Sequence, residues 1–503
     1  MAYRCLQEER SNPPRSIDGA EQAPADTGTE RAAGELALAV LAPAGPPQLT
    51  ILGHLKRTDK LNLGAACTSL RQASLAWFPE VTVAVQPGKP DVASLAAWLE
   101  RHQAQLILDL HPRDLINAQV PLSQLRQLSM TYADISDTAD ELLALPALKD
   151  LQALTLCDCN LKRLPRARPA LTQLTALNLS DNRISALAPL ATLQRLQSLR
   201  LGCCGLTALP EQLSALIALV SLNLGSNRLR GGWQHFQALT QLQDLHLCNC
   251  SLGAVPQRLP ALAALTCLDL SGSTLHSGFQ HLLPLKQLQD LDFSFRSSLT
   301  AVPGQLTALT ALTRLDLSYT VQLDGSWQHL LPLSRLQDLN LHHCGLKAMP
   351  EQLSALTALP SLNLGLNRLG DGWQHLLPLT QLHNLDLEQC GLTAVPAQLS
   401  ALTAVTRLNI SDNELAGGWQ HLLPLTQLRD LDLNDCALTA VPEQLSALLD
   451  LTLLKLSRNK LAGRWQHLVP LTRLRIIYIP CTHSHLPPEL TAMPHLHISY
   501  QAW

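Results

Sequence analysis

A repeated leucine pattern constrains this chain more than any other feature of its sequence. The pattern LxxLxLxx(N/C)xL recurs from Leu125 to the C-terminus, and the copies that start at Leu196, Leu219 and Leu242 are 23 residues apart. The central LxL of each copy fits a short strand whose side chains alternate between two faces. One unit cannot bury its leucines alone, so the units must stack side by side. The pattern therefore predicts a parallel-sheet solenoid.

Composition agrees with an array of this kind. The chain has 503 residues, of which 46% are hydrophobic but only 4% are aromatic, so its core must be mainly aliphatic. The net charge is −3 and no lysine or arginine block is present, which argues against nucleic-acid binding. No apolar run is long enough to span a membrane, and the first residues lack the apolar region of a secretory signal. The 13 cysteines then indicate a reducing compartment, the cytoplasm or nucleus.

The pattern resembles the leucine-rich repeat, and the resemblance covers roughly residues 103–496. It implies an α/β repeat solenoid, a horseshoe with a parallel β-sheet on its concave face. The convex returns would be short helical, 3-10 or irregular segments. We expect a disordered tail over 1–45, a helical segment over 46–80, and a solenoid of about 15 repeats of 22–26 residues over 81–474. A degenerate capping repeat would follow over 475–503.

The units alternate between two kinds, so the full period is about 46 residues. One kind reads LRDLDLNDCALTAVPEQLSAL, with Cys at the ninth position, and the other reads LPSLNLGLNRLGDGWQHLLPL, with Asn there. Family resemblance implies that this residue turns the chain and hydrogen-bonds neighbouring turns. Cysteines two strands apart, at ~10 Å, are too distant for a disulfide. The predicted structural ladder is Asn182, Cys204, Asn227, Cys250, Cys344, Asn367, Cys390, Asn413, Cys436 and Asn459.

The run GGWQHLLPLTQL at 417–428 has near-copies in alternate units, which together hold five of the eight Trp residues. Trp419 stands where sister units have Pro, and the small Gly418 precedes it where sister units have a larger residue such as Val441. We interpret this exchange as volume compensation in a packed scaffold. The histidine that follows each Trp lies ~10 Å or more from the next one, too far to share a metal ion.

The stretch PPQLTILGHLKRTDKLNLGAACTSLRQASLAWFPEVTVAV at 46–85 has apolar spacing that suits two or three short amphipathic helices. It resembles an F-box, with an IL-x-HL helix, a polar turn, and an L-x-L helix that ends in C-x-x-L-R. The resemblance implies binding of the small adaptor subunit of an SCF-type ubiquitin ligase through residues 46–78. The alternative is a plain helical cap on the solenoid. The implied adaptor contacts are Leu49, Ile51, Leu52, Leu55, Leu61 and Leu63.

No catalytic motif is present, so we predict a protein that is not an enzyme and needs no cofactor. One group of potential metal ligands lies near the C-terminus. It consists of Cys481, His483, His485, His495 and His497. Its spacing matches no common zinc scheme, and we therefore predict no metal site.

The strand residues that point away from the core form the candidate binding surface. Phe295 and Tyr319 follow neighbouring strands, inside the two 24-residue units that start at Leu288 and Leu312, and acidic residues surround them. An apolar strip with a polar rim is typical of a protein interface. The alternative is that both rings merely fill turns loosened by the extra residue. The predicted contacts are Phe295, Arg296, Tyr319, His343, Leu366, Asp269, Asp292, Asp316, Asp338 and Asp386.

Taken with the F-box resemblance, this surface predicts a substrate-recognition subunit of an SCF-type ubiquitin ligase. The target protein would bind the concave face. The alternative function is a scaffold or regulatory binder without ligase linkage, in the cytoplasm, cytoskeleton or axoneme. In either case we expect a monomer apart from its partners.

Overall fold

The computed structural model describes residues 80–84, 105–109, 125–144, 148–164, 171–295, 299–321, 323, 325–480, 486, 488–491, 493 and 495–501. Several predictions concern residues outside these ranges: the tail 1–45, Arg296, and the possible metal ligands Cys481, His483 and His485. The F-box-like residues Leu49, Ile51, Leu52, Leu55, Leu61 and Leu63 also lie outside the described residues.

Short strands recur along the described chain, one in each repeat unit. They are β1 Glu80–Ala84, β2 Gln105–Asp109, β3 Leu125–Thr131, β4 Ala153–Cys157, β5 Ala176–Asn178, β6 Ser198–Arg200, β7 Ser221–Asn223, β8 Asp244–His246, β9 Cys267–Asp269, β10 Asp290–Asp292, β11 Arg314–Asp316, β12 Asp338–Asn340, β13 Ser361–Asn363, β14 Asn384–Asp386, β15 Arg407–Asn409, β16 Asp430–Asp432, β17 Leu453–Lys455, β18 Ile476–Pro480 and β19 His497–Gln501. From β2 to β19 each strand pairs in parallel with the next in sequence. The leucines stay in register, as where Leu339 lies opposite Leu362.

The returns between strands contain short helices, because a unit of this length leaves room for little more than one turn. Among the described residues, the α-helices are α1 Ala139–Leu143 and α2 Pro488–Thr491. The 3-10 helices are Ala188–Thr192, Glu211–Ala215, Trp233–Ala238, Leu259–Ala261, Phe279–Leu282, Gly304–Ala308, Trp327–Leu330, Glu351–Ala355, Trp373–Leu376, Ala397–Ala401, Trp419–Leu422, Glu443–Ala447 and Trp465–Leu468. The predicted parallel sheet with short returns is confirmed.

The core lies between the sheet and the returns and consists of stacked aliphatic side chains. At β16, Leu431 and Leu433 are completely buried, whereas Asp430 and Asp432 remain partly exposed. This alternation follows from the two-residue period of a strand. Each buried leucine contributes about 1.5–3 kcal/mol, and it is shielded only because units stack on both sides.

Buried asparagines at the ninth position join each unit to the one before it. Asn367 accepts hydrogen bonds from the N–H groups of Cys344 and Leu346, at 3.1 and 3.0 Å. Its amide donates to the carbonyls of Leu341 and Leu364, at 2.8 and 2.7 Å. These bonds satisfy backbone groups that would otherwise be buried without partners. Equivalent bonds are made by Asn182, Asn227, Asn413 and Asn459.

Cysteines at the ninth position of the sister units make fewer of these hydrogen bonds. The Cys344 thiol donates to the Leu317 carbonyl at 3.1 Å, and the Cys390 thiol donates to the Leu364 carbonyl at 3.2 Å. Burial raises the pKa of Cys344 to about 12, so at neutral pH the thiol keeps its proton and can donate. Near Cys204, Cys344 and Cys436, the backbone N–H groups donate to the asparagine of the next unit. All cysteines among the described residues are free thiols.

The small residue before Trp has a backbone cause rather than the volume compensation that we predicted. Gly418 has a left-handed φ of 81°, and a Cβ added there would lie 2.4 Å from the Val395 carbonyl oxygen. Gly232, Gly278 and Gly372 show the same approach to the preceding unit. A left-handed turn pressed against neighbouring backbone needs glycine.

Two units have a non-glycine residue at this position, in the same left-handed region. Ser326 and Arg464 take φ values of 59° and 63°, and the tryptophans that follow them are buried. In these units His329 donates to the Val302 carbonyl at 2.8 Å, and His467 makes the equivalent bond at 3.0 Å. In the glycine units the histidine instead contacts its neighbouring glutamine. The repeated Trp-x-His motif therefore packs and fastens the returns.

Candidate functional site

Side chains flanking the strand leucines form the open face of the sheet, which corresponds to the predicted concave surface. The last residue of most strands is Asp or Asn, and its side chain accepts the N–H of the residue two places later. Asp269, Asp292 and Asp386 do so at 2.9, 2.8 and 2.9 Å. This Asx-type bond bends the chain away from the strand. We did not predict this turn-forming role, although Asp or Asn stands at the end of most strands.

Asp316 differs from the other predicted contacts because it is only 7% exposed. One carboxylate oxygen accepts the Ser318 N–H at 2.9 Å, and the other accepts the Asn340 amide, also at 2.9 Å. Asp316 therefore supports its own turn and the next strand, and it offers little surface to a partner. The side chain of Asp338, on the neighbouring strand, is 42% exposed and remains accessible.

Phe295, Tyr319, His343 and Leu366 occupy one column, just after their strands, and all four have left-handed backbone with φ between 53° and 57°. Their N–H groups donate to the following unit, as from Phe295 to the Ser318 carbonyl at 2.8 Å. These bonds involve the backbone alone, so the side chain is free to vary. Left-handed backbone favours Gly and Asn and costs bulky residues free energy. The same left-handed backbone recurs at this place in other units, as at Arg458, so it is a property of the repeat. What distinguishes these four units is the apolar or aromatic character of the side chains.

Three side chains of this column, Phe295, Tyr319 and His343, form an aromatic cluster together with the adjacent His342. The Phe295 and Tyr319 rings stack with centroids 4.4 Å apart and planes 8° apart, and Tyr319 lies 5.3 and 5.2 Å from the two imidazoles. Phe295 is 60% exposed. This exposure argues against the alternative that the Phe295 ring fills a loose turn, whereas the Tyr319 side chain is half-buried.

Among the described residues, carboxylates and Arg314 lie on the strands beside the aromatic cluster. Arg314 lies between Asp290 and Asp338, with 3.5 Å from nitrogen to oxygen on each side, as the strand register predicts. Burial raises the pKa of both Asp290 and Asp292. Arg314 damps the repulsion among these carboxylates, yet the surface around the rings stays acidic.

A second ion-pair group lies two strands away on the same face. His246 lies 3.0 Å from Asp244 and 3.3 Å from Asp269, nitrogen to oxygen. Hydrogen bonds to Asp244 and then to Asp269 raise the pKa of His246 to about 10, so the ring is charged at neutral pH. The sequence alone did not indicate this charge, because it depends on two carboxylates that the fold brings to the ring.

Comparisons with known proteins bear on the fold. No protein-family model matches the chain, and no curated protein matches it. A solved leucine-rich-repeat protein of Leptospira interrogans superposes with a TM-score of 0.61 at 24% identity, over 78% of this chain and 100% of that one. The solved complex of TLR13 with ssRNA13 superposes with a TM-score of 0.53 at 20% identity, over 83% of this chain and 61% of that one. The chain has a leucine-rich-repeat fold.

The described part of this leucine-rich-repeat solenoid contains no group of three or more His, Cys, Asp or Glu side chains that could hold a metal ion. Within the same residues, no helix has both the length and the apolar character needed to cross a membrane.

Proposed function

We propose that the open face of the leucine-rich-repeat solenoid binds a protein, with Phe295, Tyr319, His343 and Leu366 as the contact core. The observation that carries this proposal is the stack of Phe295 on the half-buried Tyr319, in which the Phe295 ring is 60% exposed. An exposed aromatic side chain of this kind is a typical anchor of a protein interface.

The surroundings of the contact core have the organisation of a protein interface. Aromatic anchors are the residues that contribute most to binding, and polar residues form the rim around them. Here the rim is acidic, since Asp269, Asp292, Asp338 and Asp386 remain partly exposed. A partner with a basic or polar rim would complement it.

Replacing Phe295 and Tyr319 together by alanine should reduce capture of the partner at least about tenfold, because aromatic hot spots each contribute about 2 kcal/mol or more. Alanine has the same left-handed strain, so the free energy of unfolding should change little. Affinity capture from cell extract, quantified by mass spectrometry, measures the first effect, and thermal unfolding measures the second.

A matched control removes the same amount of exposed apolar surface elsewhere. Leu283 and Leu331 lie on the returns and are 40% and 46% exposed. Their double alanine variant should capture the same proteins as the wild type. If the Phe295/Tyr319 variant also captures them at wild-type recovery, the aromatic cluster is not the contact core.

We further propose that the chain is a substrate-recognition subunit of an SCF-type ubiquitin ligase. The support is the F-box-like stretch over 46–78, which precedes leucine-rich repeats in the sequence. The repeats would bind the target while residues 46–78 bind the adaptor. Such a subunit acts by raising the effective concentration of the target near the ligase, which performs the chemistry elsewhere.

Charged substitutions in the F-box-like stretch test this finer proposal. Full-length chain with Leu52→Glu and Leu55→Glu should no longer co-precipitate the SCF adaptor subunit, because apolar helix contacts would be replaced by charge. The Phe295→Ala/Tyr319→Ala variant should still bind the adaptor, which separates the two surfaces. Wild-type chain that does not bind the adaptor would instead favour the scaffold or regulatory binder, cytoskeletal or axonemal.

A further inference from the structure

A groove lined by basic side chains lies beside the starts of β16, β17 and β18, away from the acidic surface around the aromatic cluster. Its volume is about 670 Å³, and its lining includes Arg429, Arg473, Arg475 and His495. All four side chains are exposed. We call this the basic groove. It lies at the edge of the sheet where the strands begin, whereas the aromatic cluster follows the ends of its strands.

The strand ladder sets the separation of two of these arginines. The Thr452 N–H donates to the Arg429 carbonyl at 2.8 Å, and the Arg475 N–H donates to the Thr452 carbonyl at 2.9 Å. Arg429 and Arg475 therefore precede strands two spacings apart, a backbone separation of ~10 Å. Each guanidinium is carried on a long flexible side chain. Both can therefore reach one small group held between them.

The charges in the basic groove do not balance. Asp450 is its one acidic lining residue among those described, and it pairs with Arg473 at 2.5 Å. Within the described part of the chain, Arg429 and Arg475 form no ion pair. Two arginines without an ion-pair partner thus line one groove, in a chain whose net charge is −3. Concentrated like charge is unfavourable unless a ligand neutralises it.

We propose that the basic groove binds a phosphoryl group. A guanidinium offers a planar fork of donors that matches the oxygens of phosphate, and two unpaired guanidinium groups match a dianion. The exposure of all four basic side chains leaves the groove open, so a phosphorylated serine or threonine of another protein can enter it. Free phosphate has the same chemistry, and the experiment separates these two sources. This site is independent of the aromatic cluster and of its partner.

The full-length chain can be titrated by calorimetry with three probes: inorganic phosphate, a short Gly-Ala peptide with one phosphoserine, and the same peptide without phosphate. We expect the phosphorylated peptide to bind and the unphosphorylated peptide not to bind. Arg429→Gln together with Arg475→Gln should weaken binding about tenfold or more. Arg228→Gln with Arg335→Gln removes two exposed arginines elsewhere and should leave binding unchanged.

The arms of this experiment separate the outcomes. A phosphopeptide that binds more tightly than inorganic phosphate identifies a phosphorylated protein as the ligand, and equal affinities identify free phosphate. A double Lys variant at 429 and 475 keeps the charge but loses the forks, so it should bind with intermediate affinity. The proposal is overturned if neither inorganic phosphate nor the phosphoserine peptide binds the wild type. It is also overturned if the double Gln variant, shown to be folded by circular dichroism, binds with wild-type affinity.

Discussion

Replacing Asn367 by alanine should lower the free energy of unfolding by about 3–5 kcal/mol. The N–H groups of Cys344 and Leu346 and the Leu341 carbonyl all lose a buried partner. Each unsatisfied buried group costs about 1–3 kcal/mol. Chemical denaturation measures the total. Hydrogen exchange at Leu346 reports the local part, because repeat arrays can open unit by unit.

Asn367→Cys is the matched variant, because the sister units place Cys at this position. A thiol at 367 would donate to the Leu341 carbonyl, as the Cys344 thiol donates to the Leu317 carbonyl. It would leave the two N–H groups without their acceptor. We therefore expect a loss of stability smaller than that of Asn367→Ala. An alanine variant within 1 kcal/mol of the wild type would contradict the hydrogen-bond account of the ladder.

Replacing Gly418 by alanine should destabilise the protein by about 2 kcal/mol or more. The left-handed φ of 81° is unfavourable for alanine, and the new Cβ would lie 2.4 Å from the Val395 carbonyl oxygen and 2.8 Å from the Val395 nitrogen. Both obstacles are backbone atoms of the preceding unit, so the clash cannot be relieved by a side-chain rotation. The fall in melting temperature measures the effect.

The neighbouring glycine is the control for this substitution. A Cβ added at Gly417 would meet no heavy atom within 4 Å. Gly417→Ala should therefore change stability by less than about 1 kcal/mol, since it removes only backbone freedom of the unfolded chain. Equal losses for the two alanine variants would mean that the turn before Trp does not depend on the close approach to Val395.

The aromatic cluster could be predicted in part from the sequence. The column shared by Phe295 and Tyr319 follows from the two-residue alternation of strands and the constant repeat length, and the structure places the rings in contact. Their exposure could not be predicted, because it depends on how far each turn projects from the sheet. The burial of Asp316 was missed for the same reason, since it depends on what the next strand places above it.

Leucine spacing was sufficient to predict the parallel sheet, its register and its short returns. The reason is that a short unit cannot bury its own apolar side chains, so stacking is the one way to remove them from water. Three features could be seen only in the folded chain: the sign of φ before each Trp, the asparagine bonds between units, and the basic groove. Each depends on distances between units that are remote in sequence, and hydrophobic periodicity carries no information about such distances. Gly418 is the clearest example. The sequence suggested that a small residue stands there to compensate for the volume of Trp419, but the structure shows that the carbonyl of Val395 occupies the place of a side chain.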